Sequence, residues 1–187
     1  MRQRQPRAFP SMRPTLSPMV LCKSGSNSVQ VQSPFPVEQL PVAWEWIHEF
    51  PLANLDDYAP QTLDAFTRDM QERFACERSW AVLKHENYCG MVAYRPVTNR
   101  LGWLHGICFA KGHCSSEEKR TVVTNILNEL FGLGIDKICA TFFADNRKIE
   151  QFLCDLGAVR EGVLVKQTVR DGLLLDMVQV ALFSPKA

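Results

Sequence analysis

No stretch of this 187-residue chain approaches the eighteen or so consecutive apolar residues that carry a helix across a membrane. No two of its seven cysteines (22, 76, 89, 108, 114, 139 and 154) stand as Cys-x-x-Cys, and they are odd in number and scattered through apolar runs. A disulfide framework is therefore not expected, and the thiols read as reduced, buried side chains of an intracellular protein. Net charge is almost absent as well, with 21 Lys and Arg against 20 Asp and Glu. Such a balance provides no general attraction to nucleic acid or to a membrane surface. What remains, 46% apolar and 22% charged residues, is the composition of one ordinary globular domain.

Acidic residues are missing altogether from residues 1–37, which hold Arg2, Arg4, Arg7, Arg13 and Lys23 and six of the eleven prolines. Such a segment does not bury enough apolar surface to fold alone, and the prolines bar helix through Pro18. Three readings stay open. The segment is a flexible tail or an over-long start, with Met12 and Met19 as alternative initiators. It is a targeting peptide, rich in Arg and Ser, although the prolines oppose the helix such a peptide needs. Or it is a basic arm that orders on a partner, with an assembly neighbour favoured over nucleic acid. Residues 19–32 are a candidate hairpin within it. The expected division is an arm over 1–36 and a folded domain over 37–187.

Beyond the arm, Trp44, Ile47, Leu52 and Leu55 suggest one or two short helices broken by Pro51, and Leu63, Phe66, Met70 and Phe74 predict an amphipathic helix over 61–75. Trp80–Lys84 and Cys89–Arg95 flank a turn and read as a hairpin. Leu101–Phe109 is a third strand whose glycines, 102 and 106, suggest a bulge or a close backbone approach. Val122, Val123, Ile126, Leu127, Leu130 and Phe131 form one helical stripe, preceded by Ser115-Ser-Glu-Glu118, a capping box. Lys137–Ala144 is a strand. Asp145 or Asn146 caps a short helix bearing Ile149, Phe152, Leu153 and Leu156. Val159–Val169 and Leu173–Phe183 close the chain around an Arg-Asp-Gly turn. The order predicts an α+β (mixed α/β) fold: a twisted mixed sheet of six to seven strands with helices on both faces.

This order, together with Phe143-Ala-Asp-Asn146, Phe152-Leu-Cys-Asp-Leu-Gly-Ala158, Glu161-Gly162, Arg170-Asp-Gly172 and Asp176, resembles the GCN5-related N-acetyltransferase (GNAT) superfamily. The closest likeness is to the branch that acetylates ribosomal-protein N-termini and small amines. The resemblance covers about half the chain. It implies a cytoplasmic enzyme that passes an acetyl group from acetyl-coenzyme A (acetyl-CoA) to an amine acceptor, a small molecule or a protein N-terminus. It also implies that Leu101–Phe109 splays from Lys137–Ala144 so that the pantetheine arm lies between them, beside Ile107 and Phe109. The pyrophosphate would rest at the N-terminus of the long helix, near Ser115, Ser116, Lys119 and Arg120, where free N–H groups and the helix dipole favour an anion. Asn146, a cap residue by position, becomes a possible pantetheine contact.

The chain departs from that pattern at the loop. His113-Cys-Ser-Ser-Glu-Glu118 lacks the glycines of the Arg/Gln-x-x-Gly-x-Gly/Ala motif, and Glu117 and Glu118 stand where phosphate would rest. Bare like charges about 4 Å apart repel by roughly 1 kcal/mol in water and about 4 near a protein surface. The helical tyrosine that many members place seven residues after the Asn is Leu153 here. His105 and His113 are the candidate bases, since an unperturbed histidine titrates near pH 6.5. Each reads equally as a histidine without a catalytic role. Cys108 and Cys114 are weak candidates for nucleophiles, and with His105 and His113 they show no metal-ligand spacing, so no metal is expected. These departures motivate a second expectation: a protein that kept the fold, lost the coenzyme and assembles through residues 1–36. Asn146, Ile149-Glu-Gln-Phe-Leu153, Gly157-Ala-Val159 and Arg170-Asp-Gly172 are similar to acetyltransferase-like internal virion proteins of short-tailed phages.

Overall fold

The computed structural model describes residues 29–50 and 55–186, and the start of the arm, with the first strand of its candidate hairpin, lies outside them. Seven strands form one mixed sheet: β1 (Val29–Gln32), β2 (Arg78–Lys84), β3 (Asn87–Pro96), β4 (Leu101–Phe109), β5 (Lys137–Phe143), β6 (Val159–Arg170) and β7 (Leu173–Phe183), in the order β1-β2-β3-β4-β5-β7-β6. Among the described residues four α-helices accompany it: α1 (Leu40–His48), α2 (Leu63–Phe74), α3 (Ser116–Gly132) and α4 (Arg147–Asp155). All neighbours are antiparallel except β4 and β5. The α+β class and the strand number expected from the sequence are those observed.

Alternation along the strands supplies two apolar faces. Trp80, Val82, Val92 and Tyr94 point to the face covered by α3 and α4, whereas Ala81 and Met91 meet α1 and α2. On α3, Val122, Val123, Ile126, Leu127 and Leu130 are all buried. At about 2 kcal/mol per buried side chain, this stripe alone contributes on the order of 10 kcal/mol of apolar burial. The turns follow their sequences. His85 and Glu86 (φ 51° and 64°) close β2–β3, and Asp171 and Gly172 (φ 53° and 72°) close β6–β7.

The boundary at residue 36 cuts across this domain. Val29–Gln32 pairs with Ala81–Lys84 and is the edge strand among the described residues. Ser33 Oγ donates to the Ser79 carbonyl (2.9 Å), the Phe35 N–H donates to Ser79 Oγ (3.1 Å), and the Phe35 ring is buried against Phe74 and Tyr88. Averaging composition over the proline-rich segment assigned these residues to the arm. Of the one or two short helices expected on Trp44, Ile47, Leu52 and Leu55, the first is α1, which follows a 3₁₀ turn at Val37–Gln39, and the stretch from Pro51 to residue 54 lies outside the described residues.

Candidate active site

The site begins with a failure of pairing. β4 and β5 run parallel and hydrogen-bond only from Leu101–Trp103 to Lys137–Cys139, and beyond them the strands part. A bulge in β4 accompanies the parting. Ala93 pairs with Gly106 and Tyr94 with Leu104, which leaves His105 as the extra residue. A bulge bends its strand and increases its twist. Gly102 matters just before it, because a methyl group there would overlap the Tyr94 phenol. The Ala110 N–H points to the Cys89 carbonyl of β3 (3.0 Å), so by alternation the backbone groups of Ile107 and Phe109 face away from β3, into the opening. Buried backbone groups need partners, and an extended ligand rich in amides supplies them as a neighbouring strand would. The slot thus fits a pantetheine arm.

At its mouth stands the N-terminus of α3. The capping box is formed: Ser115 Oγ accepts from the Glu118 N–H (3.1 Å), and Glu118 Oε2 accepts from the Ser115 N–H (2.7 Å). The sequence reading left Glu118 as a bare carboxylate, but the structure does not. Lys84 Nζ, from β2, lies 2.8 and 3.0 Å from its two oxygens. That partner, 34 residues away, is invisible to local inspection. Lys84 and the Ser115 N–H hold the Glu118 carboxyl below the usual carboxylate range. Glu117 remains exposed. The box leaves the N–H groups of Ser116 and Glu117 open at the helix tip. Lys119 lies over the Phe109 ring (5.5 Å), while Arg120 pairs with Asp155 (3.3 Å), away from the tip. The tip therefore retains two donors and one nearby cation for a phosphate.

On the opposite face of the sheet a cleft of about 370 Å³ opens beside the bulge. Trp44 and Ile47 of α1, Phe66 and Met70 of α2, and residues 55–60 wall it, and His105 to Cys108 form its floor. The 55–60 segment is tied to the β6–β7 hairpin. Asp57 accepts from the N–H groups of Asp171 (2.9 Å) and Gly172 (3.0 Å), and Thr168 donates to Asp56 (2.6 Å). The Arg-Asp-Gly turn is thus what the Asp57 carboxylate grips. Gly106, Ile107 and Cys108 line the cleft, and the slot runs along the free edge of the same strand, so the two spaces meet at the bulge.

His105 is the titratable group at that junction. Its Nε2 lies 2.7 Å from Glu77 Oε2, and the Glu77 side chain is only 1% exposed. A buried carboxylate demands a donor, so the pairing fixes the ring as it satisfies Glu77. With Nε2–H donating, Nδ1 carries the lone pair, the arrangement of a carboxylate-oriented base. Sequence reasoning missed Glu77. It sits 28 positions from His105 at the start of a strand, and no local signal marks it.

Not every expected residue is gathered here. His113 is exposed in the turn before α3, with Nδ1 against the Lys111 carbonyl (3.1 Å), and does not line the cleft. Cys108 does line it, but burial pushes its thiol up to about 12, which disfavours the thiolate a nucleophile needs. Asn146 caps α4 by accepting from the Ile149 N–H (3.3 Å), and Leu153, at the position of the family's tyrosine, is a core residue 1% exposed. No cluster of metal-ligating side chains occurs among the described residues.

A central parallel pair that splays, a bulge beside the opening and a helix N-terminus at its mouth together define the GNAT-like acetyltransferase fold that the sequence resembles. Among the solved structures that it resembles are those of SpeG, spermidine N-acetyltransferase from Vibrio cholerae. The complex of that enzyme with CoA and spermine superposes with a TM-score of 0.71 at 18% identity, covering 84% of this chain and 96% of that one. A mutant of it gives 0.71 at 19% (84% and 95%), and a chimera from Vibrio cholerae and hSSAT gives 0.72 at 20% (84% and 96%). At these identities the likeness is one of fold. No family model and no curated protein matches the sequence. The likeness to phage virion proteins has no counterpart among these neighbours.

Proposed function

We propose that this chain is an N-acetyltransferase that uses acetyl-CoA to acetylate an amine bound in the cleft under α1 and α2. The observation that carries the reading is the meeting of slot and cleft at the His105 bulge. Acetyl-CoA supplies an acetyl thioester, and the protein's part is to hold it, orient the amine and remove a proton. The backbone edges of Ile107 and Phe109 hold the arm, and the Ser116 and Glu117 N–H groups, with Lys119, hold phosphate. His105 Nδ1 takes the proton that the amine loses on acylation, and Glu77 steadies the resulting imidazolium. Buried Leu153 is not available as an acid, so the departing thiolate is left to solvent protonation.

A protein that kept the fold but lost its coenzyme is the weaker reading, because Lys84 neutralises Glu118, one of the two carboxylates on which that reading leaned, and the Ser116 and Glu117 N–H groups stay open. Nor does any contact among the described residues support an assembly role for residues 1–36. We place the activity in the cytoplasm, on the scattered, unpatterned cysteines. The test is release of free CoA thiol from acetyl-CoA with a panel of primary amines. Spermidine, the substrate in the neighbours' name, is the first acceptor to try. Acceptor-dependent thiol release supports the proposal, and no release with any amine, despite a folded protein, contradicts it.

A further inference from the structure

Two thiols that the proposed reaction does not use face each other beneath the mouth of the slot. Cys89 Sγ and Cys114 Sγ are 3.4 Å apart. Cys114 immediately precedes the Ser115 cap of α3. Cys89 occupies a bulge of its own: Val82 pairs with Gly90 and Leu83 with Tyr88, so Cys89 is the extra residue. The bulge aims its thiol at the Val82 carbonyl (3.4 Å) and at Cys114. Cys89 is fully buried and Cys114 is 7% exposed. The hydrogen bond that the two thiols share holds Cys114 below its ordinary range, with Lys84 and Lys119 acting in the same direction, and pushes Cys89 up. Cys114, the more exposed of the two, stands as the nucleophile and fully buried Cys89 as its resolving partner.

We propose that Cys89 and Cys114 form a reversible, peroxide-sensitive pair whose disulfide pins the loop at the N-terminus of α3. The Cys114 thiolate attacks a peroxide oxygen. An S–O bond forms, the O–O bond breaks, and the departing oxygen takes up the proton Cys114 lost and leaves as water. Cys89 then attacks the oxidised sulfur. The S–S bond forms, the S–O bond breaks, and the hydroxyl leaves with the Cys89 proton as a second water. Two thiols and one hydrogen peroxide give one disulfide and two waters. From the observed 3.4 Å the sulfurs close by roughly 1.3 Å to bond. Closure draws residue 114 toward β3 and the Ser115 cap with it, which moves the Ser116 and Glu117 N–H groups out of place for the phosphate they would hold. This consequence, unlike the disulfide itself, rests on the acetyltransferase reading.

The experiment treats the reduced full-length chain with hydrogen peroxide, blocks remaining thiols with N-ethylmaleimide and maps tryptic peptides. The expected product is His85–Arg100 joined to Gly112–Lys119, released again by dithiothreitol and absent from a Cys114→Ala variant. Recovery of both peptides alkylated while the exposed Cys76 and Cys154 are oxidised overturns the proposal, and this map needs no variant to fold. Calorimetric titration with CoA then compares the two forms. Affinity about tenfold weaker after oxidation is expected, and equal affinity overturns the loop mechanism. If neither form binds CoA, the acetyltransferase reading fails, while the linked peptide still decides the fate of the pair.

Discussion

His105→Ala is expected to do two separable things. The first is kinetic. Loss of the proton acceptor at the cleft floor lowers kcat by about 10²- to 10⁴-fold, the usual range for a general base. The KM for acetyl-CoA stays nearly unchanged, because His105 lines the cleft. The second is thermodynamic. Glu77, with 1% side-chain exposure, makes its one side-chain hydrogen bond among the described residues to His105. Removing the ring strands a buried carboxylate, which costs roughly 3 kcal/mol, a large part of the stability of an ordinary domain. Glu77→Gln keeps a carbonyl oxygen opposite Nε2–H. It is expected to cost about 1 kcal/mol and to slow turnover by about tenfold through weaker orientation of the ring. The double variant Glu77→Gln/His105→Ala then regains stability over His105→Ala without regaining turnover. Urea unfolding and initial rates, measured on the same four proteins, check this. Wild-type turnover in His105→Ala, or a double variant no more stable than His105→Ala, refutes the reasoning.

Three further outcomes follow from other parts of the molecule. The Tyr94 hydroxyl is buried without a hydrogen-bond partner among the described residues, and burial pushes its pKa up to about 12, so Tyr94→Phe is expected to raise stability by about 1 kcal/mol in thermal unfolding. Gly102→Ala drives a methyl group into that phenol ring and is expected to destabilise by about 1–3 kcal/mol, and a neutral result speaks against close packing at the base of the slot. Glu118 has a lowered pKa in the fold, so its contribution is present above the ordinary carboxylate pKa of about 4.3 and is lost as pH falls through the folded value. Lys84 has a raised pKa, so its contribution is lost as pH rises through the folded value, above the ordinary value of about 10.4. Glu118→Gln should flatten the acid limb, read as the unfolding midpoint against pH, and an unchanged acid limb contradicts the pairing.

Much of the fold was legible because periodicity records burial. The strand over 101–109 and the capping box at Ser115 and Glu118 are where local pattern places them. Gly102 and Gly106 marked a close approach and a bulge before either was visible. Val29–Gln32 was expected as part of a local hairpin over 19–32, and its pairing with β2 was missed because those partners are distant in sequence. The site was half legible. His105, Ile107 and Phe109 were candidates from the sequence because they belong to one strand, β4. Glu77, Lys84 and Asp57 act across 28, 34 and 114 residues of sequence, and contacts at that range leave no trace in spacing. His113 misled for the same reason, since nearness in sequence to the helix cap does not bring it to the cleft.

Backbone amide shifts of isotopically labelled protein, followed by NMR during titration with acetyl-CoA, bear most directly on the slot. The account expects the largest changes at Ile107, Phe109, Ser116 and Glu117, on the free edge of β4 and the tip of α3. Saturating behaviour there, with β1 and β2 undisturbed, is the predicted result. Unchanged amides at these four positions at millimolar acetyl-CoA would contradict it.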